Sequence, residues 1–282
     1  MPTFIRRMSR FFALGGLWLA LLPSAPAQAA SDRRLYALDC GHAEFKDFAA
    51  ASDTGAYDGR GAVLADPCFL IRHPKGWLLW DAGLPPKLPP ALAGAAGFRI
   101  WHERGLTDQL AAIGLTLAEV NYLAFSHLHF DHVGNAALFD RATWILQRAE
   151  VTWAERSPSP VSMVPELFAA YRRAPVRWIE GDADVFGDGT VRIISAPGHT
   201  PGSSVLLVRL PNRGAVMLSG DLYLTLEGRL EHHVPAVNAD RADTLASMQR
   251  IEEIARRLHA ALVVQHSPED FDRMPKVPAY WD

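Results

Sequence analysis

Ser126-His127-Leu128-His129-Phe130-Asp131-His132 is the stretch on which the reading of this chain turns. It follows directly on the apolar run Val120-Asn121-Tyr122-Leu123-Ala124-Phe125, which predicts a strand. Two histidines at i and i+2 point to one side if strand geometry continues for one more pair, and Asp131 and His132 then lie on the following turn. All four side chains can so face one pocket. Imidazole nitrogen and carboxylate oxygen are the donors that borderline-soft divalent ions take, and an open coordination position lets a bound water become a nucleophile. The alternative, a polar loop holding histidines by chance, fits this spacing poorly.

Three further donors occur in the same kind of context. Val191-Arg192-Ile193-Ile194-Ser195 predicts a strand, and the Gly/Pro-rich turn Ala196-Pro197-Gly198-His199-Thr200-Pro201-Gly202 presents His199 at its end. Val216-Met217-Leu218-Ser219 delivers Gly220-Asp221, and Ala261-Leu262-Val263-Val264 delivers Gln265-His266. Taken alone, His199 or His266 reads as a structural histidine. Beside the first cluster they read as ligands, because layered α/β proteins bind at the strand ends along one sheet edge.

The motif His-x-His-x-Asp-His with a distant His, Asp and His resembles the metallo-β-lactamase superfamily, over residues from about 67 to about 271. Within it, residues 126–132 with Gly134-Asn135, and the later order His199, Asp221, His266, look most like the N-acyl-homoserine lactonases. The resemblance implies an α/β fold, the αββα sandwich of the metallo-β-lactamase type. It implies two divalent metal ions, Zn²⁺ foremost, one held by His127, His129 and His199 and the other by Asp131, His132 and His266, with Asp221 bridging them. It implies a hydrolase that opens a small-molecule lactone by attack of a metal-bridging hydroxide, with Asp131 and Asp221 in the catalytic machinery. An ester, thioester or β-lactam hydrolase on the same scaffold is the alternative, since glyoxalase II enzymes share all seven ligands. A metal-binding protein without turnover belongs to another class, which metal-dependent hydrolysis would eliminate.

One departure from the lactonase pattern stands out. In the lactonases a substrate-bonding Tyr lies three residues after the bridging Asp; here Tyr223 lies two after Asp221, and position 224 is Leu. Tyr223 either takes that catalytic and substrate-binding role after a local shift or packs in the core. Phe130, inside the ligand motif, is the better candidate for touching substrate. Leu79-Trp80-Asp81-Ala82-Gly83 resembles the Asp-Thr-Gly strand end of the superfamily, with Ala82 replacing Thr. Asp81 is expected to accept an N–H from a ligand histidine and fix its ring.

Composition sets the outer limits. A chain of 282 residues with 49% hydrophobic content can bury a large core and fits one domain better than two. Arg6, Arg7 and Arg10, the apolar residues 11–22, Pro23 and Ala27-Gln28-Ala29 together read as an export signal, 1–29, ahead of a single hydrolase domain, 30–282. Twelve apolar positions are too few to span a bilayer, so no stable membrane insertion is expected after cleavage, and the location is periplasmic or secreted. Cleavage removes three of the 28 Lys and Arg and none of the 31 Asp and Glu, leaving a net charge of about −6. That balance, without a basic run, excludes a nucleic-acid partner. Cys40 and Cys68 can form one disulfide in an oxidising compartment or remain two buried thiols. An oligomer is compatible with the sequence.

The remaining pattern alternates strand and helix. Residues 68–72 and 77–80 around a Pro-Lys-Gly turn predict a hairpin, and 107–113 and 116–120 predict short capped helices. The clearest helix is 240–259, with Leu245, Met248, Ile251, Ile254 and Leu258 at spacings of three or four. Residues 85–105 and 153–171, rich in Pro and aromatics, either hold an acyl chain beside the site or simply cover the sandwich, the second being expected for most of them.

Overall fold

The computed structural model describes residues 32–90, 92 and 97–282, together with Met1 and Thr3. The expected export signal lies outside the described residues. Among these, no helix is long and apolar enough to cross a membrane.

Alternation of period two builds the first sheet. In β1 (Arg34–Phe45), Leu35 and Ala37 face one way and Tyr36, Leu38 and Cys40 the other, and both faces are buried. β1 pairs antiparallel with β2 (Ala62–His73), which turns through residues 74–75 into β3 (Gly76–Trp80). The expected hairpin is therefore present, with a longer first arm. β4 (Phe98–Trp101) covers the outer edge of β1, while β5 (Tyr122–Ala124), β6 (Thr143–Gln147) and β7 (Val176–Ile179) continue from β3 in parallel. The order is β4-β1-β2-β3-β5-β6-β7.

A second sheet runs β12-β11-β10-β9-β8, from β8 (Ala183–Asp184), β9 (Val191–Ser195), β10 (Ser204–Leu210), β11 (Gly214–Leu218) and β12 (Ala261–Val263). Leu206 and Val208 of β10 meet Phe69, Ile71 and Trp80 of the first sheet in the central core, while Val205 and Leu207 face outward. Helices cover both outer faces. On the first sheet lie α1 (Leu106–Ala111), α2 (Phe130–Val133), α3 (Arg148–Ala154) and α4 (Pro165–Phe168), contributing Leu110, Val133, Val151 and Phe168. Beyond the short α5 (Leu226–Glu231), α6 (Arg241–Leu258) packs Met248, Ile251 and Ala255 on the second sheet, and α7 (Pro268–Arg273) follows β12. This is the expected αββα sandwich.

Helix α6 shows why sequence located it so well. Asp240 caps it by accepting the Asp243 N–H at 2.8 Å, and His259 ends it in the left-handed conformation. Met248 and Ile251 are fully buried, each stabilising the packing by roughly 1.5–3 kcal/mol. Leu245, Ile254 and Leu258 are only partly buried, so the stripe faces the sheet obliquely. Residues 117–119 form a single 3₁₀ turn, closed by a capping box between Thr116 and Glu119, where the sequence predicted a short helix. Cys40 and Cys68 are joined as a disulfide, tying β1 to β2 across a Cα–Cα distance of 5.6 Å.

Candidate metal centre

All seven predicted donors converge on one edge of the sandwich, where β5, β9, β11 and β12 end in loops. The strand expected to carry His127 and His129 stops at Ala124, and the loop after it brings the rings together. Two buried carboxylates replace the missing sheet partners. Asp81 Oδ1 accepts the Ser126 N–H at 2.7 Å, and Glu150 Oε1 accepts the Leu128 N–H at 2.9 Å. His129 then precedes α2, a single turn that carries Asp131 and His132.

His127 Nε2, His129 Nδ1 and His199 Nε2 form a triangle with sides of 2.9, 3.0 and 3.2 Å. Three ligands about 2.0–2.1 Å from a tetrahedral ion stand roughly 3.3 Å apart, close to what is seen. Asp131, His132 and His266 form the second group. Asp221 divides its oxygens between the two. Oδ2 lies 3.3 Å from His199 Nε2 and 3.7 Å from His127 Nε2; Oδ1 lies 3.0 Å from His132 Nε2 and 2.9 Å from His266 Nε2.

Ring orientation supports a metal. His132 Nδ1 faces Asp81 Oδ2 at 3.0 Å, His199 Nδ1 faces Asn238 Oδ1 at 2.7 Å, and His266 Nδ1 faces the Ala65 carbonyl at 2.9 Å. Each of these partners accepts, so the outer nitrogen carries the proton and the inner one turns a lone pair on the cluster. His127 Nδ1 meets the Ser126 hydroxyl at 3.0 Å. His132 Nε2 and Asp221 Oδ1 are buried without any hydrogen bond, an expensive arrangement for polar atoms that a cation shared between them relieves. The residues present therefore fit a pair of divalent ions.

Burial, reinforced by neighbouring rings, pushes His127 and His129 well below the ordinary imidazole value, and burial lowers His199 as well. Neutral rings are what a metal requires. Burial opposes charge on His132 and His266 too, but Asp221 outweighs it, holding His132 well above the ordinary value and His266 at about 9. Burial likewise disfavours the Asp221 carboxylate, and the surrounding rings, His266 first, overcome this and hold it well below the usual range.

Asp81 does what its sequence context suggested, binding His132 while accepting from Gln265 Nε2 at 2.7 Å. Its left-handed φ of 59° is one that Asp tolerates. Sequence gave no warning of Glu150, whose Oε2 accepts from Thr200 Oγ1 at 2.7 Å and the Gly202 N–H at 2.9 Å. It ties the loop after β5 to the loop of His199. A Cβ on Gly202 would stand 2.4 Å from the Glu150 Cβ, so only glycine permits this approach. Burial pushes the Glu150 carboxyl up, against those hydrogen bonds.

A cavity of about 310 Å³ opens over the donors. His129, Asp131, His199, Asp221 and His266 form its polar end, and Phe45, Phe48, Leu64, Leu84, Phe98 and Phe130 line the rest. Phe130 thus stands where expected, edge-on to Phe98 with ring centroids 6.1 Å apart. Among the described residues, Leu92, Gly97, Phe98 and Ser162 are the parts of the two Pro-rich stretches that reach the cavity, whereas Phe168 is buried in the first sheet's outer core.

Tyr223 is a correction. Its ring is 1% exposed in the core under α6, and its hydroxyl donates to Glu252 Oε1 at 3.2 Å. Burial, then Glu252, push that hydroxyl upward. The chain alternates sides as it leaves the turn at 220–222, so Leu224 faces the cavity and Tyr223 faces away. A second unforeseen residue is Asp66, buried on the cavity wall; burial holds its carboxyl well above the usual range.

A carboxylate shared by two donor groups at the edge of an αββα sandwich defines a class of dinuclear metalloproteins. The chain belongs to the metallo-β-lactamase superfamily, whose defining pattern matches residues 63–266. Among its relatives, the N-acyl homoserine lactonase AttM of Azorhizobium caulinodans is 32% identical over 272 residues, covering 89% of this chain and 100% of that protein. An N-acyl homoserine lactonase from a Bacillus species is 28% identical over 223 residues, covering 76% and 85%. Among solved structures, an N-acyl homoserine lactone hydrolase with N-hexanoyl-L-homoserine bound at its catalytic metal centre aligns at a TM-score of 0.76 and 23% identity, covering 89% of this chain and 99% of that one. AidC, a dizinc quorum-quenching lactonase, aligns at 0.65 and 16% identity, covering 90% and 95%. These two likenesses show a shared fold.

Proposed function

We propose that this protein is a metal-dependent hydrolase that opens the lactone ring of N-acyl-homoserine lactones. The observation that carries the proposal is the division of the Asp221 oxygens between two groups of donors at the floor of a largely apolar cavity. The lactonase relatives at 28–32% identity support the substrate class. The donor set, five imidazoles and two carboxylates, favours zinc.

When bound, the paired ions supply a nucleophile from water at neutral pH and polarise a carbonyl oxygen. Asp221 fixes the spacing of the two groups. Asp131, whose side chain is 23% exposed where the others are buried, is placed to take the proton of the attacking water and hand it to the departing ring oxygen. Phe130 and Phe98 hold the apolar part of the substrate, and Asp81, Asn238 and Ala65 keep three rings in register.

The same proposal places residues 30–282, as one hydrolase domain, outside the cytoplasm after removal of 1–29, in the periplasm or medium. The basic start, the apolar residues 11–22 and the Ala27-Gln28-Ala29 site support it, as does the Cys40–Cys68 disulfide. The test incubates metal-loaded protein with a panel of acyl-homoserine lactones, a chromogenic β-lactam and a glutathione thioester. Preference for the lactones is expected; preference for either other substrate overturns the assignment.

A further inference from the structure

The cavity wall contains a carboxyl that no element of the metal centre uses. Asp66 is 2% exposed, lines the cavity, and has no hydrogen-bond partner on either oxygen. The polar atom of His266 nearest to it, Nδ1, stands 4.0 Å away and is already engaged by the Ala65 carbonyl at 2.9 Å. An unpaired buried carboxyl costs stability, so a fold that keeps one beside a reactive centre has a use for it.

The backbone is shaped to present this side chain. Asp39 pairs with Pro67 and His42 with Ala65, so Cys40 and Gly41 of β1 together oppose the single residue Asp66 of β2. Such a bulge re-aims a side chain beside a site. Gly41 takes the left-handed φ of 132° that this bulge demands, Pro67 withholds a donor, and the Cys40–Cys68 disulfide fastens the two strands immediately next to it. Leu64, two residues earlier on the same face of β2, lines the cavity beside Leu224.

Resting on the lactonase reading, we propose that Asp66 is a specificity-determining residue, accepting the amide N–H of an N-acyl-homoserine lactone. The lactone ring offers only acceptors; the amide nitrogen is the one donor on such a substrate. It sits on the ring carbon next to the reacting carbonyl, roughly 2.5 Å from the carbon attacked. Its partner must therefore flank the metal ligands, as Asp66 flanks His266. Asp131 and Asp221 are committed to the metal groups, and Asp47 Oδ1 is occupied by the N–H groups of Ala49 and Gly59. A carboxyl keeps an acceptor oxygen whether or not it carries a proton.

The test compares Asp66→Val, which keeps the shape and removes the acceptor, with Asp66→Asn, which keeps one acceptor oxygen. Metal-loaded full-length proteins are given N-hexanoyl-homoserine lactone and an α-alkyl-γ-butyrolactone of matching length, which carries its chain on the same ring carbon without the amide. In Asp66→Val the ratio of kcat/KM for the amide-bearing over the amide-free lactone falls about tenfold or more, and Asp66→Asn recovers most of it. Metal content stays at the wild-type value, and Asp66→Val melts at a higher temperature, because a buried unpaired carboxyl has been removed. An unchanged ratio, equal losses on both lactones, or loss of metal in Asp66→Val overturns the inference while leaving lactonase activity standing. A wild-type protein that opens neither lactone overturns both.

Discussion

Replacing Asp81 with Asn tests whether the metal ligands are held from behind. Asp81 Oδ1 accepts the Ser126 N–H at 2.7 Å, and Oδ2 accepts from Gln265 Nε2 at 2.7 Å and His132 Nδ1 at 3.0 Å. Asparagine keeps the volume but turns one oxygen into an NH₂ group. Whichever way the amide sits, that group meets a donor: Ser126 in one orientation, His132 and Gln265 in the other. One buried donor left unpaired costs about 1–3 kcal/mol. His132 also loses a charged partner, a change that typically weakens metal binding 10–100-fold. Asp81→Asn should therefore give up the ion of the Asp131, His132 and His266 group to a competing chelator about 10–100-fold more readily, while the His127, His129 and His199 group keeps its own. The assay is metal titration against a chromogenic chelator, paired with a denaturant melt. Superimposable chelator curves for the two proteins would refute the idea that Asp81 sets the ligand ring.

Tyr223→Phe should leave lactone kcat/KM within about twofold of wild type and lower stability by about 1 kcal/mol, since the hydroxyl meets Glu252 beneath α6 rather than the cavity; a hundredfold loss of rate would restore Tyr223 to the site. Removing the Cys40–Cys68 bridge, which closes a 28-residue separation, should cost about 3–4 kcal/mol in denaturant melts, and an unchanged midpoint in the Cys40→Ala, Cys68→Ala protein would contradict this. At acid pH the pair His73–Asp188, 2.9 Å apart, supplies a signature. Burial works against the Asp188 charge, but hydrogen bonds from Thr190 and His73 outweigh it and hold the carboxyl at about 2, below its ordinary 3.8. A depressed carboxyl stabilises the fold fully above the unfolded value and loses that contribution as pH falls from 3.8 toward 2. Stability of Asp188→Asn should fall less steeply than wild type over that window, and parallel curves would count against the pair.

The seven donors were legible because each follows a local signal: an apolar run, then a polar or Gly/Pro break, then a histidine or aspartate. Chain order is enough to recognise such a set, since the fold that assembles it repeats across a superfamily. The layered architecture was legible for the same reason, alternation in β1 and β10 and the spaced apolar residues of α6 being properties of adjacent positions. Local signals gave the strand of His127 one pair too many, because the Asp81 and Glu150 carboxylates that replace its ladder come from distant parts of the chain.

What depends on register or on partners far along the chain belongs to the tertiary structure alone. Tyr223 and Leu224 are equally plausible cavity residues in sequence, and only the turn at 220–222 decides which one faces inward. Cys40 and Cys68 become a disulfide because β1 and β2 pair in one register, and the two-for-one bulge of that same pairing lays Asp66 along the cavity. Short-range pattern fixes what each segment is; long-range packing chooses which atoms meet, because burial of both sheet faces selects a single register out of several that neighbouring residues alone would allow.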